Sequence, residues 1–143
     1  NSPLTTRATV YSDYAHHPTE IKATLAALRA GYPKAKIVCV FEPHQQDRLT
    51  RLFAEFTKAF TDADTVVLLP AYRVTGRESD TGDNKDAFAL AQEIGRKKID
   101  VFYAPDFERA EKLITKDLAD PRAVMVFMGA GDIDAKARAY LAS

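Results

Sequence analysis

The chain predicts an α/β fold, a Rossmann-like and mostly parallel sheet with helices on both faces. Three observations point there. Short apolar runs alternate with amphipathic stretches along the 143 residues, giving five β-then-α units. Such alternation is the pattern of parallel sheets built by right-handed crossovers. The run Ile37-Val38-Cys39-Val40-Phe41 is continuously apolar, as in a strand covered on both faces. The stretches between runs place apolar residues three and four apart, the helical period.

The first strand is expected over residues 8–12, followed by a helix over 18–30. Pro18 suits the first helical turn, where its missing N–H costs nothing. Glu20 complements the positive helix end, and Ile21, Leu25 and Leu28 form the buried stripe. The second strand spans 36–41. One helix is expected over 47–59, with Asp47 as N-cap and Leu49, Leu52, Phe53, Phe56 and Phe60 on its inner side. The third strand spans 65–69. A polar loop over 70–83 is long for a compact domain, and such loops are usually functional. Helices over 85–96, 107–118 and 133–141 alternate with strands over 100–103 and 123–128. Tyr11 and Tyr103 are assigned by default to the core, with Tyr14 and Tyr72 excepted because they border the ligand edge. The whole chain, 1–143, reads as one domain.

Composition narrows the function classes. With 46% hydrophobic and 28% charged residues, the chain is a folded domain rather than a disordered segment. Lys plus Arg equals Asp plus Glu at 20 each, which argues against a dedicated nucleic-acid binder. The single cysteine, Cys39, lies inside an apolar strand and reads as a core thiol. No leader sequence and no apolar run of membrane-spanning length appears, so the expected setting is cytoplasmic, with no membrane partner.

Parallel strands share one carboxyl edge, where ligands of α/β proteins sit. That edge is expected to gather Asp13, Tyr14, His16, His17, His44, Tyr72 and the Gly129-Ala130-Gly131 turn. Two of the chain's three histidines are adjacent, at 16 and 17. Imidazole and carboxylate suit zinc. Neighbouring histidines on a loop rarely point the same way, however, so no metal site is assigned. They read as ligand-binding or loop-orienting groups. Arg48 is either a clamp for a carboxylate or phosphate or a surface arginine paired with Asp47 or Glu55. The Gly129–Gly131 turn lacks the third glycine of a dinucleotide fingerprint and reads as a tight turn with Asp132 as N-cap. The chain has no G-x-x-x-x-G-K-[ST] phosphate loop and no G-x-S-x-G elbow. The phosphoacceptor and lysine of a receiver domain are replaced by Leu69-Pro70 and Gly129.

Several of these segments resemble one family. Asp13-Tyr14-Ala15-His16-His17-Pro18-Thr19-Glu20 is similar to the signature opening the C-terminal domain of the Mur ligases. Phe41-Glu42-Pro43-His44 with Arg48 is similar to a second signature, and Gly129-Ala130-Gly131-Asp132-Ile133 to a third. The blocks at 51–56 and 59–64, and Tyr72 with Gly76 and Glu78, continue the match in order. The resemblance is nearest to the branch that joins L-alanine to UDP-N-acetylmuramate. Gln45 stands where that branch usually carries arginine, which removes one cation unless Arg73 or Arg77 substitutes.

The resemblance implies the closing domain of a three-domain, ATP-dependent, amide-forming ligase, a fragment inactive alone. Magnesium and the phosphate loop would belong to a central domain. Asp13 would meet the ATP ribose and Tyr14 the adenine. His16 would face the incoming amino acid and serve as candidate proton acceptor. His44 and Arg48 would hold the amino acid's carboxylate, and Tyr72 would border the pocket. A recycling ligase that attaches a preformed tripeptide, a stand-alone binding module and a metal-dependent hydrolase are the alternatives.

Overall fold

A computed structural model describes residues 6–44, 46–71 and 86–142. Its elements run β1 (Thr9–Asp13), α1 (Pro18–Gly31), β2 (Lys36–Phe41), α2 (Gln46–Arg51), α3 (Phe53–Ala59), β3 (Thr65–Leu68), α4 (Ala87–Ile94), β4 (Asp100–Tyr103), α5 (Phe107–Leu118), β5 (Ala123–Met128) and α6 (Ile133–Leu141). The five strands form one sheet in the order β1-β5-β2-β3-β4, and every pairing is parallel. The α/β class and the parallel sheet expected from the sequence are therefore present.

Strand alternation sends neighbouring side chains to opposite faces, which divides the core in two. Ile37, Cys39, Phe41, Val66, Leu68 and Val126 pack against Ile21 and Leu25 of α1, Phe56 of α3, and Leu90 and Ile94 of α4. Val38, Val40, Val67, Met125 and Phe127 pack against Phe107 and Ile114 of α5 and Ile133 and Ala137 of α6. The chain steps outward from β2 through β3 to β4, then reverses and inserts β5 between β1 and β2. Right-handed crossovers in opposite directions put their helices on opposite faces, which is why α5 lies across the sheet from α1, α3 and α4. Cys39 is fully buried, and that burial pushes its thiol far above the ordinary range.

Four expectations are corrected. The helix over 47–59 is two helices, interrupted at Leu52, whose backbone leaves helical geometry (φ −107, ψ 23). Hydrogen bonds still cross the break, from Leu52 N to Arg48 O and from Phe56 N to Leu52 O. No proline or glycine marks the place. The bend accompanies the packing of Phe56 and Phe60 on Phe41, at ring-centroid distances of 5.8 and 5.6 Å, and tertiary packing overrides local propensity. Asp47 consequently lies inside the first turn of α2 rather than at its cap. Tyr11 is not core: it projects from an edge strand and shares a hydrogen bond with the Tyr32 hydroxyl. Tyr103 is only half-buried.

Candidate functional site

The exit of β1 is fixed by its own acids. Asp13 Oδ1 accepts from Ala15 N at 3.0 Å, and Oδ2 accepts from Thr24 Oγ1 at 2.8 Å, tying the loop to α1. Each carboxylate oxygen keeps one further lone pair for a ligand donor. His17 is the N-cap of α1: its Nδ1 accepts from Thr19 N at 3.2 Å, while Glu20 Oε1 accepts from His17 N at 3.2 Å. This capping box satisfies donors that a helix start otherwise leaves open. It also spends His17, leaving His16 to face outward.

The His16 ring has a defined tautomer. Nδ1 lies 3.0 Å from the Tyr14 carbonyl oxygen, which can only accept. The proton therefore sits on Nδ1, and Nε2 of the neutral ring presents a lone pair. Tyr14, 70% exposed, stands edge-on to this ring at 5.6 Å.

The exit of β2 supplies the other half. Glu42 N donates to Met128 O at 3.0 Å, extending the sheet by one residue before Pro43 turns the chain to His44. The His16 and His44 rings approach to 6.2 Å between centroids, at 63°. Arg48, one turn into α2, carries an Nη1 that is buried without a hydrogen-bond partner among the described residues. Burial, the neighbouring His16 and the Arg48 guanidinium all lower the proton affinity of His44, so the ring is neutral at neutral pH. The loops after β1 and β2 meet although β5 separates their strands.

The turn after β5 fits beneath them. Gly129 has φ +156, and a Cβ there would lie 2.9 Å from both the Glu42 carbonyl oxygen and Ile133 Cγ2. Only glycine meets both demands. Asp132 stands at the N-cap of α6, as the sequence predicts, yet its side chain makes no capping hydrogen bond, so its expected role is corrected. Instead, the Ile133 backbone N–H acts on the Glu42 carboxyl at the exit of β2 and favours its charged form.

Thus Asp13, Tyr14, His16, His44 and Arg48 converge as the strand order requires. Tyr72, Gln45, Arg73 and Arg77 lie outside the described residues. Sequence reasoning missed Thr24 and Glu42. An acid continuing the buried alternation Val38, Val40 was the available signal for the second. No group of three or more His, Cys, Asp or Glu side chains placed to hold a metal occurs among the described residues. A separate cleft of ≈ 420 Å³, lined by Thr9, Tyr32, Lys34 and Arg122, opens at the opposite edge of the sheet.

Comparison with known proteins shows the family. The family model described as "Mur ligase, glutamate ligase domain" matches residues 3–131. The chain belongs to the Mur ligase family. It is 45% identical over 125 residues to the UDP-N-acetylmuramate--L-alanine ligase of Acetivibrio thermocellus, covering 87% of this chain and 25% of that protein. The ligase of the same name from Desulforapulum autotrophicum is 40% identical over 125 residues, covering 87% of this chain and 27% of its own length. The chain thus spans about a quarter of the curated relatives it matches. Among solved structures, the UDP-N-acetylmuramate-alanine ligase of Thermotoga maritima superposes with a TM-score of 0.69 at 27% identity, over 93% of this chain and 26% of that one. No helix among the described residues is long and apolar enough to cross a membrane.

Proposed function

We propose that this Mur ligase chain is the C-terminal, closing domain of a cytoplasmic ATP-dependent ligase that joins L-alanine to UDP-N-acetylmuramate. The observation that carries the reading is His44 set between the His16 ring and Arg48, whose buried guanidinium nitrogen has no described partner. A carboxylate is the group that satisfies such a nitrogen, and a charge-assisted pair there is strong. The names of the relatives supply the amino acid and its acceptor.

His44 and Arg48 hold the α-carboxylate of alanine and turn its amino group toward His16. The free Nε2 of His16 takes a proton as the amine attacks the acyl phosphate carbon of the activated carboxyl, and the C–O bond to phosphate then breaks to leave the amide and inorganic phosphate. ATP supplies the phosphoryl group that activates that carboxyl. Asp13 meets the ribose hydroxyls with its remaining lone pairs, and the exposed Tyr14 ring lies against the adenine. Magnesium is held by the central domain. Closure of this domain aligns nucleophile and acceptor and excludes water, which converts a loose encounter into an oriented one.

The test is steady-state kinetics of the ligase that carries this chain. Arg48→Ala is expected to raise KM for L-alanine by more than about tenfold, and His16→Ala to lower kcat, with melting temperatures unchanged within a few degrees. A wild-type ligase that accepts a preformed tripeptide and ignores L-alanine overturns the assignment in favour of the recycling branch.

A further inference from the structure

Glu42 is 5% exposed, yet its Oε1 has no hydrogen-bond donor, and neither does Asp132 Oδ1. Both carboxyls belong to one junction: the Glu42 backbone and Cβ and the side chain of Ile133, the residue after Asp132, all abut Gly129, and the Asp132 charge acts on Glu42. Two carboxylates gathered in one junction cannot bond each other without a proton, and one proton shared between them relieves both. The surroundings favour that proton. Burial, and then the charge of Asp132, push the Glu42 carboxyl up to about 7, while Lys136 and the Ile133 N–H act in the opposite direction. Lys136 Nζ lies 3.4 Å from Asp132 Oδ1 and balances the one negative charge that remains.

We infer that Glu42 and Asp132 form a proton-sharing carboxyl pair that latches the exit of β2 to the start of α6 and so positions His44. Glu42 stands two residues before His44 on a segment with little freedom, because Pro43 lies between them. On the other side, α6 is already anchored to β1, where Ser12 Oγ donates to Asp134 Oδ1 at 2.6 Å and Gly129 N donates to Asp13 O at 3.1 Å. The latch therefore fixes the β2 exit relative to the β1 exit, which carries His16. The groups facing Glu42 are Asp132 and Lys136 from α6. His44 and Arg48 follow it along its own chain, and Asp13 lies beyond Gly129. The adjoining ends of β5 and β3 present Met128 and Leu69, which are apolar. Glu42 touches no reacting atom and is a positioning residue. Its effect on turnover rests on the reading of His44 and Arg48 given above; the latch itself does not.

Carboxyl-carbon NMR of the 143-residue chain tests the latch directly. The Glu42 resonance is expected to titrate near neutrality, and a midpoint in the ordinary carboxylate range overturns the shared proton. Glu42→Gln keeps a donor toward Asp132 and is expected to leave the His44 ring resonances in place, whereas Glu42→Ala shifts them. Unmoved His44 resonances in Glu42→Ala overturn the positioning role. In the complete ligase, Glu42→Ala is expected to raise KM for L-alanine about tenfold, with Glu42→Gln within about threefold of wild type. Equal KM values in all three overturn the positioning role as well. If the wild-type ligase does not use L-alanine, the functional proposal fails, and the two NMR measurements still decide the latch.

Discussion

Two of the helices that begin at the functional edge, α1 and α6, are started in opposite ways. The N-terminus of α1 is satisfied by its immediate neighbours, His17 and Glu20, in a reciprocal box. The N-terminus of α6 has an aspartate at the right position that does not cap, and its help comes from Glu42 on a distant strand. The first arrangement is local and orients one loop. The second is non-local and binds two strand exits into one unit. A site that needs His16 and His44 at a fixed separation requires the second kind, because no local motif can set the distance between loops from different strands.

The largest effect is expected where the non-local junction is tightest. Gly129→Ala forces a side chain against the Glu42 carbonyl at a positive φ, and a loss of about 3–5 kcal/mol in urea denaturation is expected. An unchanged midpoint would show that the junction yields easily and would erase the contrast.

Next comes pH. Glu42 has a folded value raised from 4.5 to about 7, so its contribution to stability is complete below 4.5 and is lost as pH rises through 7. The loss is at most about 3 kcal/mol. His44, whose proton affinity is lowered, acts in the opposite sense: its contribution is present above its ordinary 6.5 and fades as pH falls. The difference between wild type and Glu42→Gln isolates the Glu42 share. Urea midpoints at pH 5 and pH 8 should fall with pH more steeply in the wild type than in the variant. Parallel profiles contradict the assignment.

Breaking the local start is milder. His17→Ala removes one cap and is expected to cost about 1 kcal/mol, readable as a small drop in melting temperature. The least effect is expected from Lys136→Ala, whose ion pair with Asp132 is half in solvent: within about 0.5 kcal/mol at neutral pH. A larger loss would mean that the lysine is part of the latch rather than its counterion.

The same division explains what could be read from the sequence. The strands at 36–41, 100–103 and 123–128 and the helices at 107–118 and 133–141 appear at their expected bounds, because apolar period and flanking turn residues are local signals. Asp13, Tyr14, His16 and His44 were placed on one edge by the β/α alternation, while Arg48 stayed open between a ligand clamp and a surface arginine until the family resemblance assigned it. The break at Leu52 has no local mark, since aromatic packing on Phe41 accompanies it. Asp132 looked like a cap by its position, while the actual partner of the helix start is set by which strand lies beside β5. The insertion of β5 between β1 and β2 is a property of strand order, which hydrophobic pattern does not encode.

That insertion also sets an order in time. β5 is the central partner of both β1 and β2, yet it is the last of the five strands in chain order. Until residues 123–128 arrive, the β1 segment has no strand to pair with and the two histidine loops have nothing to bridge. Such late, long-range closure is intrinsically slow. Chains cut before β5 should therefore retain β2, β3 and β4 as a nucleus while presenting no assembled pocket, so competence at this edge arrives in a single step, with the fifth strand.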